Sequence, residues 1–249
     1  MIRRDDGNDW LLIPQIEHAH LAADIAARWG NDQVRPFPGS DELVEAIRHH
    51  DDGWAEWDAA PRINRANGIP RSFTEMPMCA ATEIWTRSIA VCGDISPLNG
   101  TWVSKHFCWL AEQARESRID KPDDLRAIEA FLDAQEQLHQ RWKFASGDQL
   151  IDSGFHGVQF FDRLSLWLCC APRTEPLDID CPNFGRIRFT PLTDHRIVVA
   201  PDPFSARGQA LELTVAAKQI SARRYADDAD LQSALHAAEI RRLTWTLSG

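Results

Sequence analysis

The chain has 249 residues, of which 44% are hydrophobic and 26% charged, the balance of an ordinary folded protein rather than a disordered one. Twenty-seven Lys and Arg stand against 37 Asp and Glu, a net charge of −10, which argues against a nucleic-acid binder or a protein drawn to an anionic membrane surface. No window is apolar enough to span a bilayer, the N-terminal segment lacks the apolar core of a secretory signal, and the six cysteines include no CxxC pair. Free thiols in a reducing cytoplasm are therefore expected, with no cysteine-based zinc cluster.

Residues 10–14 read as a short apolar edge strand. Residues 17–29 follow as a helix with the stripe Leu21, Ala22, Ile25 and Trp29, stopped by Gly30. Ser40 is placed to cap a second helix, whose first turn holds Asp41 and Glu42 and which runs through Leu43, Val44 and Ile47 to about Asp51. Residues 53–77 show no clear period but carry Trp54, Trp57 and Phe73, which predicts an ordered lid. Helices are predicted over 82–91, 97–117, 122–144 and 155–170, with Pro97 and Pro122 at favourable first positions. Pro172, Pro176 and Pro182 mark a boundary. Beyond it, strands are predicted over 186–190, 196–200, 211–216 and 240–247, with a short helix over 228–238. The expected architecture is mainly α: a domain of five to six helices over residues 1–175 with a small β-rich (α+β) module over 176–249 packed on it. Its strands are positioned to pair with the segment at 10–13.

Helical periodicity sorts the polar residues by face. His50 lies three after Ile47 and seven after Leu43, and Asp51 lies four after Ile47, so both follow the buried stripe, whereas His49 falls with Glu42 and Glu45 on the wet face. His18 precedes Leu21 by three and Ile25 by seven. His106 sits among Trp102, Val103, Phe107 and Leu110, and Asp162 is embedded in an apolar run from Val158 to Trp167. Imidazoles and carboxylates sent inward need partners or a metal, because burying them alone is costly. His18, His50, Asp51, His106 and Asp162 are thus the candidate metal ligands. A mixed N/O set suits Fe, Mn, Zn, Ni or Co, and its carboxylates extend the list to Mg. No glycine-rich phosphate loop and no nucleophile elbow occurs in the chain.

The order H…HD…H…D resembles the HD superfamily of helical metal-dependent proteins. The pieces that carry the likeness are Gln15-Ile16-Glu17-His18-Ala19, His50-Asp51-Asp52-Gly53-Trp54, Ser104-Lys105-His106 and the run from Gln159 to Leu166. The wider string is also similar to an uncharacterised bacterial domain-of-unknown-function family with an HD-like signature. The resemblance implies an HD-like helical bundle and a metal held by the first His, the His-Asp doublet and the late Asp. The resemblance implies no particular substrate; the leading functional reading is a metal-dependent hydrolase of a phosphoester or nucleotide-like substrate. His106 would complete the shell or act as general acid/base, and Asp52 would orient water. HD hydrolases often carry a cation shortly after the doublet. Here Asp52-Gly53-Trp54-Ala55-Glu56 follows, leaving Lys105, Arg62, Arg65 and Arg71 to meet an anionic small molecule, with Trp54 as an aromatic contact. Two other readings stay open: a non-haem diiron oxygenase, with His139 as an extra ligand and His156 of similar status, and a non-catalytic small-molecule-binding domain.

Overall fold

The computed structural model describes residues 1–117, 121–143, 149–204 and 208–249. Strands β1 (Ile2–Asp6) and β2 (Asp9–Ile13) open the chain as a hairpin turned at Gly7, whose φ of 77° suits a residue without a side chain. Helices α1 (Gln15–Ala26) and α2 (Ser40–His49) follow. Gly39 (φ 67°), not Ser40, occupies the N-cap of α2, and its carbonyl accepts the Leu43 N–H at 2.8 Å. The segment expected to be a lid is ordered throughout. A 3₁₀ turn (Asp52–Trp54), helix α3 (Ala55–Ala59), a small hairpin of β3 (Ile63–Asn64) and β4 (Ile69–Pro70), and a second 3₁₀ turn (Phe73–Glu75) run in succession. Ser72 and Glu75 close a reciprocal capping box around that second turn.

Four long helices come next: α4 (Met78–Ile95), α5 (Pro97–Ser117), α6 (Pro122–Trp142) and α7 (Gln149–Cys170). Phe144, the expected end of α6, lies outside the described residues. The remainder is β5 (Leu177–Cys181), β6 (Gly185–Thr193), β7 (Arg196–Ala200), β8 (Leu211–Ser221), α8 (Asp228–Ala237) and β9 (Ile240–Ser248). No helix among the described residues is long and apolar enough to cross a membrane.

The expectation of a helical bundle with a small C-terminal β module is overturned by the sheet. Seven strands form one curled, half-barrel-like sheet in the order β1-β2-β8-β9-β7-β6-β5, so strands from both ends of the chain share it. Trp10 pairs with Ile220 and Leu12 with Lys218, which places the 10–13 segment inside the sheet and makes β1 its edge. The expected pairing with the tail strands is therefore present, but the expected edge position is not. The physical reason for the misreading is β1 itself. Ile2-Arg3-Arg4-Asp5-Asp6 has no apolar alternation, and edge strands tolerate charge. Arg4 is nonetheless buried, because Asp194 and the carbonyls of Leu168 and Ala171 accept from its guanidinium.

One face of the sheet packs on the helices. Leu213, Val215 and Ala217 of β8, Leu243, Trp245 and Leu247 of β9, and Ile187 and Phe189 of β6 alternate inward and share a core with Ile25 of α1 and Leu164 and Leu168 of α7. Each such buried side chain contributes roughly 1.5–3 kcal/mol. On the opposite face, Leu12 and Ile220 join Leu231 and Leu235 of α8 in a smaller cluster. The helical layer (α1, α2, α4, α5 and α7) carries every candidate ligand, and the sheet fixes that layer from behind.

Candidate metal centre

Four stretches of chain deliver five polar side chains to one buried spot. His18 arrives from the core stripe of α1, His50 from the residue that ends α2, Asp51 from the next position, His106 from α5 and Asp162 from α7. His18, His50, Asp51 and His106 are buried, and the Asp162 side chain is 15% exposed. Asp51 is not helical as expected: it stands at the start of the 3₁₀ turn, which still aims it inward.

That turn is clasped onto α4. The Gly53 N–H donates to Ser88 Oγ at 2.9 Å, and the Gly53 carbonyl accepts from Arg87 Nε at 3.3 Å. A Cβ at Gly53 would sit 2.1 Å from the Ile84 carbonyl oxygen, so only glycine permits this approach. The Asp-Asp-Gly-Trp stretch therefore serves to seat Asp51 as much as to present it.

Nε2 of His18 lies 3.1 Å from Asp162 Oδ1 and 3.6 Å from Asp51 Oδ2, and Nε2 of His50 lies 3.4 Å and 3.8 Å from the same two oxygens. The ligating atoms of His18, His50 and Asp162 all fall within 4.8 Å of one another. Atoms bonded at about 2.1 Å around a tetrahedral ion stand roughly 3.4 Å apart, so the spacing fits a small cation. His106 Nε2 faces the other oxygen of Asp162 at 3.8 Å, one step outside that group.

Hydrogen bonding and charge set the tautomers and protonation of the metal-free cluster. His50 Nδ1 donates to the Ile47 carbonyl at 2.7 Å, which turns Nε2 toward the carboxylates, the orienting bond expected of a metal-bound imidazole. The buried Nδ1 of His18 and of His106 lacks a hydrogen-bond partner. Burial disfavours the imidazolium of His50, yet Asp51 and Asp162 outweigh it and raise its pKa to about 9. Burial pushes His106 down to about 4, with His50 and His18 adding to the effect against the pull of Asp162. Asp162 is held far below the usual carboxylate range: its bonds to His18 and His50 override the cost of burial. Asp51 is shifted upward, chiefly by burial. Without a cation, a proton on His50 balances the acids.

Of the five residues expected as ligands, His18, His50 and Asp162 come within 4.8 Å of one another, Asp51 faces both imidazoles, and His106 stands one step outside. The other expected site residues divide. Trp54 is buried and lines a cavity beside the cluster. Asp52 turns away to pair with His49 at 2.7 Å. Arg62 is exposed over the Trp57 ring, Arg65 is exposed, Arg71 is half-buried, and Lys105 pairs with Asp152 at 3.3 Å; none of them lines either cavity at the centre. His139 bonds Ser104 Oγ at 2.8 Å and stands apart, while His156 is exposed on a neighbouring cleft.

Sequence reasoning missed Gln15, whose Nε2 donates to Asp51 Oδ2 at 3.3 Å. Its spacing three residues before His18 was a readable signal. It also missed the two hollows that meet at Asp162, His106 and Leu166. One, of about 220 Å³, lies between the second 3₁₀ turn, α4 and α5; the other, of about 380 Å³, lies between α5, α7 and β5.

No curated protein and no solved structure matches the chain. A family match covers residues 1–222, and the chain belongs to that family, which is described as protein of unknown function (DUF3891).

Proposed function

We propose that the chain is a metal-dependent hydrolase of a small molecule, with a divalent cation held by His18, His50, Asp51 and Asp162. The observation that carries this reading is the convergence of two imidazole Nε2 atoms on two carboxylates at 3.1–3.8 Å, with His50 already oriented by the Ile47 carbonyl. Imidazole-rich mixed sets favour Fe, Mn, Zn, Ni or Co over Mg, which prefers oxygen alone. The H…HD…D order of the HD superfamily supports the same assignment. When bound, the ion supplies Lewis acidity toward a substrate oxygen and acidifies water.

The remaining chemistry belongs to the side chains. His106 lines both hollows and its Nε2 stands 3.8 Å from Asp162, a placement from which an imidazole serves as base. Its Nε2 takes the proton from the attacking water, and the water oxygen bonds to the electrophilic centre. The leaving group departs with its bonding electron pair and receives that proton. Asp162 Oδ2, 3.8 Å from His106 Nε2, steadies the imidazolium between the two transfers. Gln15 holds Asp51 in place. With His139 on Ser104 rather than at the cluster, the oxygenase reading lacks its extra ligand.

Elemental analysis of the purified protein tests the proposal. About one equivalent of a divalent transition metal is expected in the wild type and background content in Asp51→Ala. Full metal in the variant, or none in the wild type, retires it. A screen of esters and phosphoesters with added Mn, Ni, Fe and Mg then separates turnover from binding alone.

A further inference from the structure

The hollow of about 220 Å³ beside the centre is lined mainly by apolar side chains, with Gln15, Asp51, Thr74, His106 and Asp162 as its polar members. Trp54, Met76, Met78, Trp85, Phe107 and Leu166 form its wall, and the Trp85 and Phe107 rings stack at 5.3 Å and 16°. No Lys or Arg lines it; its charged members are Asp51 and Asp162. A phosphate or carboxylate seated against the Trp54, Met76, Trp85 and Phe107 wall would lose its hydration to apolar surface, with no Lys or Arg there to receive it. A cavity of about 150 Å³ lined by Leu, Ile and Phe holds benzene, so this one has room for a substituted or bicyclic ring. The centre also faces a second space, which adds a cation, Arg163, and an acid, Asp180, to walls of Trp109, Phe160 and Ile179. The cleft of about 380 Å³ shares His106, Asp162 and Leu166 with the first hollow and adds Arg163, Gln159 and His156.

We infer that the substrate is bipartite: a neutral aromatic or compact hydrocarbon group seats in the Trp54–Met76–Trp85–Phe107 hollow, and its polar end lies in the Arg163 cleft with the scissile bond at His106 and Asp162. The assignment of the scissile bond rests on the hydrolase reading; the seat itself does not. Esters of apolar alcohols or acids have this form, whereas nucleoside phosphates with their charge in the hollow do not.

The three methionines make the seat observable. Met76 and Met78 line it, while Met1 lies in a separate cluster with Leu12 and Tyr225. In protein labelled with [methyl-13C]methionine, 2-naphthol should shift the Met76 and Met78 methyl resonances, saturating below roughly 1 mM, and leave Met1 in place. Ala81 also lines the hollow, so Ala81→Phe should weaken the response by roughly tenfold or more. Leu110→Trp serves the same purpose if the first variant does not fold. Absence of the wild-type shift, equal movement of Met1, or an undiminished shift in a folded filled variant overturns the inference. The wild-type spectrum decides alone if neither variant folds. Metal content, measured on the same samples, reports separately on the hydrolase reading: a naphthol response without metal retires that reading and keeps the seat.

Discussion

The two hollows that meet at Asp162 differ in what surrounds them. On the α4 side, buried Trp54, Met76, Met78 and Phe107 line the space, here the dry flank; on the α7–β5 side, exposed Arg163, His156 and Trp109 do, the wet flank. One carboxylate thus has a dry flank and a wet flank. Burial of side chains around the centre strengthens the electrostatic interactions among its charged groups.

Removing the shared residue should have the largest effect. Asp162→Ala leaves His18 and His50 without their nearest counter-charge, at an expected cost of about 3–5 kcal/mol in chemical denaturation, with metal content falling to background. An unchanged midpoint and unchanged metal would mean that the flanks do not meet at an electrostatic centre. Next comes the dry flank: Phe107→Ala, which empties a buried wall, should cost about 3–5 kcal/mol by the same measurement with the metal ligands untouched.

In metal-free protein, pH separates two groups by sign. His106 has its folded pKa pushed down to about 4 from the ordinary imidazole value of about 6.5, so its contribution is complete above 6.5 and is lost as pH falls toward 4. His50, near 9 when folded, contributes fully below 6.5 and loses that contribution as pH rises through 9. Each arm amounts to roughly 3 kcal/mol, so stability should peak near pH 6.5. His106→Gln should flatten the acid arm and His50→Gln the alkaline one; denaturation profiles that keep both arms in both variants contradict the assignment. The wet flank should respond least. Arg163→Ala, at an exposed position, is expected to change stability by no more than about 0.5 kcal/mol.

The helical layer was legible because its signal is local. The stripes of α1, α2 and α5 pointed His18, His50 and His106 inward, and the structure buries all three. The pairing of 10–13 with the tail was expected, but the extent of the sheet was not legible, since the charged strand β1 beside it leaves no trace in a short window of sequence. Ser40 and Asp51 were misplaced by one step for a similar reason. Gly39 takes the cap through a left-handed backbone, and the approach of Gly53 to Ser88 ends α2 before Asp51. The arginines of the 53–77 segment suggested an anion site by composition alone, while side-chain direction depends on tertiary contacts such as Arg62 on Trp57.

The placement of β2 beside β8 also sets a schedule for biosynthesis. Trp10 is made long before its partner Ile220, and at roughly 5–20 residues per second the opening ribbon waits on the order of 10–40 s for the strand that completes it. Helix pairs such as α4 and α5, being neighbours in the chain, have no such wait. Throughout that interval the nascent hairpin offers backbone groups to any other strand in reach, and the charges of Arg3, Arg4, Asp5 and Asp6 are its guard against the wrong companion.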